Sequence, residues 1–220
     1  MEITRPHHES GCGIYALSKR IETKEDWAAA KEVAAEMIAW MDETNGHFKG
    51  EFSRAFAMAH CQVVDHDHPW RLMVVAKELV EGAEGVDQSK QNLTTALFEA
   101  QAIFNAEILE APDKITRKVP KRAVTKNPDD PTKVEVKMEM VDESISNEIR
   151  VPEGCMSFPL RSERKMDRKY RIKVRYQWLK KGLLGGKVET FEGWVEGLKA
   201  HILQHECQHF EGENIHFPKR

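Results

Sequence analysis

Apolar and polar residues alternate with a period of two over residues 170–178, Tyr-Arg-Ile-Lys-Val-Arg-Tyr-Gln-Trp. This predicts a strand with one face turned to a core. Gly182, Gly185 and Gly186 then predict a turn, with residues 187–191 returning as a partner strand. A helical period marks residues 25–44, where Trp27, Val33, Met37, Ile38, Trp40 and Met41 recur near one face among alanines. Asn45-Gly46 supplies a stop. Residues 71–76, Arg-Leu-Met-Val-Val-Ala, form a short apolar run without alternation, as in a strand covered on both faces. A small-residue run extends from Ala55 to Ala59, and Gly82 and Gly85 interrupt any periodic pattern. Residues 89–104 fit either a helix or a loop with one helical turn. Residues 111–150 hold two alternating stretches, 114–124 and 134–141, around Asn127, Asp129, Asp130 and Pro131, which predicts a long exposed hairpin or arm. Residues 194–211 predict a final helix, packed through Leu198, Ile202 and Phe210. A helix, then strands, then a helix among antiparallel strands is an α+β pattern. The expected organisation is one domain over 1–220, with an inserted arm at about 111–150.

Composition narrows the class. A 220-residue chain with 40% hydrophobic and 31% charged residues can bury a core and is not a disordered tail. No apolar run approaches the roughly 18 residues of a membrane span, so no membrane partner is expected. A net charge of −3 argues against a dedicated nucleic-acid binder and against DNA as a partner. The four cysteines, Cys12, Cys61, Cys155 and Cys207, are too few for a disulfide scaffold of this size. The first ten residues lack the apolar run of a secretion signal. Together these features lead us to expect a reducing, cytoplasmic setting.

Chemistry concentrates in the last predicted helix, which contains His205-Glu-Cys-Gln-His209. Residues i and i+4 share a helix face, so both imidazoles can reach one metal ion, with Glu206 beside it to act on a water. Two imidazoles suit a first-row transition metal. A solvated charged helix could show the same spacing by chance. A third ligand is needed, and several residues compete for the place. His201 would extend the stripe, but His201 and His209 lie about 12 Å apart along a helix axis and do not converge easily. Cys207 is rotated away from His205 and reads as a small buried residue. Cys155 lies beside Gly154, whose missing side chain allows a close backbone approach. Spacing alone does not choose Cys155 over Glu211, Glu213 or Asp167.

The pair Glu153-Gly-Cys-Met-Ser157 and Gln204-His-Glu-Cys-Gln-His209 is similar to the peptide deformylase family, which carries Glu-Gly-Cys-Leu-Ser and Gln-His-Glu-x-Asp-His in that order. A third family motif, Gly-x-Gly-x-Ala-Ala-x-Gln, has two partial counterparts. Gly11-Cys-Gly-Ile-Tyr-Ala-Leu-Ser18 keeps the glycines and ends in serine. Ala55-Phe-Ala-Met-Ala-His-Cys-Gln62 keeps the glutamine, follows the first predicted helix and precedes the 71–76 strand, and it is the better match. Phe104-Asn-Ala-Glu-Ile108 and Met166-Asp-Arg168 resemble two further family segments. The resemblance runs over roughly 25–217.

The resemblance implies an α+β fold of antiparallel sheets around a central metal-binding helix. It implies a hydrolase that removes the N-formyl group from formyl-methionine of nascent polypeptides. Cys155, His205 and His209 would hold one divalent metal, natively Fe²⁺, with Zn²⁺, Ni²⁺ or Co²⁺ as substitutes. A water activated by the metal would attack the formyl carbon. Glu206 would move the protons, and Gln62 with the backbone N–H of Met156 would stabilise the oxyanion. Ala57, Gly154 and Arg161 would line the peptide. Two other readings stay open: an amidase acting on another N-acyl peptide, and a binding protein that has lost catalysis. The departures from the family pattern are Ala55 and Ala57 for glycine, His60 for alanine, Met156 for leucine and Gln208 for aspartate. The 111–150 stretch exceeds its family counterpart. The chain stops soon after His209, as in phage-encoded members, so a ribosome contact would lack the family's usual C-terminal helix. Basic residues of 114–126 and 161–175 are an alternative contact, or simply a solvated basic surface. The implied setting is the cytoplasm of a bacterial or phage-infected cell.

Overall fold

A computed structural model of the chain describes residues 16–47, 57–63, 69–76, 100–126, 134–155, 157, 163–180 and 187–216. Helix α1 spans Lys24–His47. Thr23 caps it: the Thr23 hydroxyl accepts the Asp26 N–H at 3.0 Å, and the Asp26 carboxylate accepts the Thr23 N–H at 3.4 Å. Strands β1 (Ala57–Ala59), β2 (Leu72–Ala76), β3 (Ala100–Glu110), β8 (Arg171–Lys180) and β9 (Lys187–Glu196) form one antiparallel sheet in the order β1-β2-β3-β8-β9. A 3₁₀ turn, His60–Gln62, follows β1. Strands β4 (Lys114–Lys126) and β5 (Val134–Ser146) make a two-stranded ribbon, and β6 (Glu148–Glu153) and β7 (Arg164–Lys169) a second small sheet. Helix α2, Gly197–Phe210, ends the sequence of elements.

The apolar run of β2 shows why the sheet needs a helix on each face. Leu72 and Val74 join Ala30, Ala34, Met37 and Met41 of α1 in one buried cluster. Met73 and Val75 point the other way, into a cluster with Ala200, Leu203 and Phe210 of α2. Alternation is invisible in the sequence here because both faces are dry. Each of the leucine, valine, methionine and phenylalanine side chains here contributes about 1.5–3 kcal/mol by leaving water. β8 shows the half-covered version, with Ile172, Val174 and Tyr176 buried towards α2.

Two asparagines hold the irregular points. Asn105 has φ 52° and lies where the β3–β8 register shifts between Phe104 and Glu107. Asparagine tolerates this left-handed geometry. Its Oδ1 accepts the Ile21 N–H at 2.8 Å, and its Nδ2 donates to the Ile21 carbonyl and to Gln177 Oε1 at 2.9 and 2.8 Å. Asn147, fully buried, ties the base of the ribbon to β8. Its Nδ2 donates to the carbonyls of Pro112 and Arg171, and its Oδ1 accepts the Arg171 N–H.

Several boundaries differ from the sequence expectation. Residues 100–104, read as helix or loop, start β3, while 77–99 lie outside the described residues. The ribbon strands run past the expected ends at 124 and 141. The final helix begins at Gly197, because Val195 and Glu196 still pair with Ile172 and Arg171. β6 and β7 are new. Met166 is the single apolar residue of β7, so no period was visible there.

Replacing Asn105 by alanine leaves the buried Ile21 N–H without its partner and keeps the left-handed strain. We expect a loss of about 2–4 kcal/mol of stability, read by denaturant unfolding.

Candidate metal centre

Helix α2 sets one turn between His205 and His209, and their Nε2 atoms lie 3.2 Å apart with the rings at 70°. The end of β6 delivers Cys155, whose Sγ is 3.4 Å from His209 Nε2. All three donor atoms lie within 4.8 Å of one another. His209 and Cys155 are buried, and the His205 side chain is nearly so.

Orientation comes from a carboxylate two residues before the thiol. Glu153 Oε2 lies 3.1 Å from His205 Nδ1, which turns the Nε2 of that ring towards the cluster. Arg168 of β7 grips the same carboxylate from behind through two 2.6 Å hydrogen bonds. Burial pulls the Glu153 carboxyl upward, but the Arg168 and His205 contacts outweigh it and hold the group at about 2. For His205 burial acts downward, and the bonds to Cys155 and Glu153 prevail, raising it to about 10. Burial and the neighbouring His205 charge hold His209 well below the usual histidine range, in the neutral form a ligand needs. Gln204 fixes the rotation of α2 by clasping the backbone of Lys169: its Nε2 donates to the Lys169 carbonyl at 2.8 Å and its Oε1 accepts the Lys169 N–H at 3.0 Å.

Two further groups converge on the cluster. Gln62 is buried at the end of the 3₁₀ turn. Its Oε1 accepts the Ala59 N–H at 2.7 Å, which aims the amide Nε2 at Cys155 Sγ (3.6 Å) and Ser157 Oγ (3.2 Å). Glu206 is buried, and its Oε2 accepts no hydrogen bond among the described residues. A buried carboxylate oxygen without a donor calls for a ligand or a water. Burial raises the Glu206 carboxyl to about 7, against the pull of His205. That value suits a group that takes and returns a proton near neutral pH.

The structure thus brings together Cys155, His205, His209, Glu206 and Gln62. The competing ligands lie elsewhere. Glu211 pairs with Arg71, Asp167 with Arg150, and Cys207 packs against the core with its thiol pushed up to about 12 by burial. His201 stands outside the three-donor group, with its Nε2 buried and without a hydrogen-bond partner among the described residues. Gln208 accepts no hydrogen bond through its Oε1 among the described residues, so it anchors no imidazole. His60 Nδ1 accepts the Trp70 backbone N–H at 3.0 Å, and its ring stacks on the Trp70 indole. Ala57 is buried in β1, and a Cβ placed on Gly154 would meet nothing within 4 Å. Met156, Arg161 and Ala55 lie outside the described residues. Sequence reasoning gave no role to Glu153, Arg168 or Ser157. The signals were that Glu153 and Ser157 bracket Cys155 and that Arg168 ends the Met166-Asp-Arg168 segment.

Antiparallel sheets surround a helix that brings two imidazoles and a thiol close enough to hold a metal ion, with an amide aimed at the thiol. A model of the polypeptide deformylase family matches residues 12–216. The fold is similar to inhibitor-bound peptide deformylase 1B of Arabidopsis thaliana, at TM-score 0.56 and 18% identity over 100% of this chain and 82% of that one. It is similar to a class I type b peptide deformylase of Acinetobacter baumannii bound to Met-Ala-Ser, at TM-score 0.52 and 20% identity over 100% of both chains. A probable peptide deformylase of Synechococcus phage S-SSM7 matches at TM-score 0.51 and 16% identity over 99% of each chain. The chain belongs to the polypeptide deformylase family, and it is an enzyme of the metallohydrolase class.

Removing the thiol by Cys155→Ser should abolish stoichiometric metal binding. Arg168→Met, which leaves Glu153 without its cation, should weaken the metal about 10–100-fold. Chelator competition with metal analysis on the same samples checks both.

Proposed function

We propose that this enzyme removes the formyl group from the N-terminal formyl-methionine of new polypeptides. The observation that carries the reading is Gln62 Nε2 aimed at Cys155, together with a buried Glu206 that interacts with His205 and whose Oε2 has no hydrogen-bond partner among the described residues. The donor set fits one divalent first-row ion, which when bound would polarise the formyl carbonyl and make a water more acidic. Fe²⁺ is the native ion in this reading, with Zn²⁺, Ni²⁺ or Co²⁺ as replacements.

Each residue then has one task. Glu206 takes a proton from the attacking water and returns it to the leaving nitrogen as the formyl C–N bond breaks, so formate and a free amine result. Gln62 donates Nε2–H to the oxygen that gains charge, and its own Oε1 is already held by Ala59, so little reorganisation is needed. The Met156 N–H would be the second donor. Among the described residues β1 pairs with β2 alone, and its other edge can take an extended peptide past Ala57. A Cβ on Gly154 would meet nothing within 4 Å, which is consistent with room for that chain, and Arg161 would also contact the peptide in this reading. The Met-Ala-Ser found in the Acinetobacter baumannii protein supports a methionyl peptide as occupant. Among the described residues no helix is long and apolar enough to cross a membrane. In this reading the enzyme acts on nascent chains in the cytoplasm, near the ribosome.

Formate release from formyl-Met peptides by protein loaded anaerobically with Fe²⁺ or Ni²⁺ tests the reading. Glu206→Gln should keep its metal and lose about 10²–10⁴-fold in kcat. Gln62→Ala should lose about 10²–10³-fold with metal retained. Turnover of acetyl-Met peptides in preference to formyl-Met peptides would move the activity to another N-acyl amidase. A Glu206→Gln protein that still works in cells would move it to a binding role.

A further inference from the structure

The β4–β5 ribbon plays no part in the metal centre, and its two faces differ in kind. β4 holds six basic residues and no acid, and the ribbon's acids lie on β5. Pairing puts three of the four acids on the inward face with Arg117, Lys121 and Lys137, and leaves the other four cations of β4 on the outward face. On the face towards the body, Ile115 is buried, Val119 and Val141 are half-buried, Lys121 pairs with Glu143 at 3.4 Å, and Arg117 lies 4.7 Å over the Tyr170 ring. On the outward face Lys114, Lys118 and Arg122 are exposed and make no ion pair among the described residues. One described carboxylate, Asp142, shares that face, opposite Lys118. The three cations are four residues apart, so they stand about 13 Å from one another along the strand. Between and beyond them sit Val124 (57% exposed), Val136 (43%), Met138 (63%) and Met140 (60%). Thr116 and Ser144 add hydroxyls towards the base.

We propose that this outward face docks on the backbone of a double-stranded RNA segment. A protein of net charge −3 gains little from polyanions globally, so the segregated cations are what matter. Their even spread along the ribbon fits a line of phosphates better than a lipid surface, which would call for a continuous apolar side. The polar base half of this face has none. Among the described residues β4 and β5 pair with no other strand, so each offers an edge of backbone N–H groups for phosphate oxygens. The described outward face carries no aromatic ring on which unpaired bases could stack, which favours a duplex over single strands. The wide, shallow groove of duplex RNA can take the valine and methionine side chains against riboses. The inference does not depend on catalysis at the metal centre.

Anisotropy of a labelled RNA hairpin, titrated with the full chain over a range of salt, tests it. The wild type should bind with a steep salt dependence. K114E/K118E/R122E should bind at least about tenfold more weakly, with the log–log salt slope reduced by about two to three. M138S/M140S should weaken binding with the slope unchanged. If the triple variant fails to fold, as judged by its thermal midpoint, K118Q alone should reduce the slope by about one. Formate release from a free formyl-Met peptide should match the wild type in all of them. Equal RNA binding by wild type and a folded triple variant would overturn the proposal. So would wild-type binding to phosphatidylglycerol vesicles without binding to RNA, or binding to neither.

Discussion

The Glu153 carboxylate is the joint on which the rest of the site depends. It closes β6, takes Arg168 from β7 and meets His205 on α2, and the chain reaches Cys155 two residues later. Three segments distant in sequence are therefore fixed to one group. Arg168 is buried with a single strong partner, so the ion pair sits where charge is costly unless matched. Removing one partner from such a pair typically costs about 3–5 kcal/mol, because the other is left uncompensated. That cost acts as a specification. The small β6–β7 sheet has little apolar surface of its own, and this pair together with the pairing to Arg171 and Tyr170 at Asn147 keeps it in register beside α2.

The metal helix poses a second constraint. α2 buries Gln204, Glu206 and His209 alongside Ala200, Leu203 and Phe210, so its inner side is part core and part site. A helix of that composition does not identify its buried face by hydrophobicity. Rotation is set by polar contacts instead. Gln204 clasps Lys169, and the His209 carbonyl receives the Cys61 thiol at 3.6 Å. The same Gln204 clasp that orients the helix thereby sets where Glu206 lies.

How far the sequence foretold this follows from the kind of force involved. Period and apolar run gave α1, β2, the ribbon and β8 close to their observed places, since hydrophobic burial dictates those elements. The His205 and His209 pair was visible because a local helix spacing makes the geometry. Cys155 and Gln62 were reached through motif resemblance, because their approach to the histidines is a tertiary fact that spacing does not encode. β6 and β7 escaped because ion pairs and backbone pairing, rather than a buried apolar face, hold them. The Arg168–Glu153 pair escaped for the same reason: two charged residues 15 apart in a polar stretch look like solvated surface until the structure shows them joined. Asn105 and Asn147 belong to the same class, since an asparagine that serves the backbone leaves no pattern.

The ribbon shows the opposite balance. Its alternation was legible, yet alternation alone does not say which face is free. Asn147 decides that. By holding the ribbon base to Pro112 and Arg171, it turns Ile115 and Arg117 towards the body and leaves the Lys118 side outward. A two-stranded ribbon is marginal in water by itself, so its inward residues must lean on the body or the strands would fray. The outward residues carry no such duty. Nothing in the stability of the fold calls for two methionines and two valines to stand in water beside cations that have no ion-pair partner among the described residues. Such a face is expensive to keep soluble and free of self-association, and a contact with another molecule gives it a use. The metal centre holds most of its groups by bonds among themselves and leaves Glu206 Oε2 open inside the protein, whereas the ribbon's outer face presents its unpaired groups to the outside.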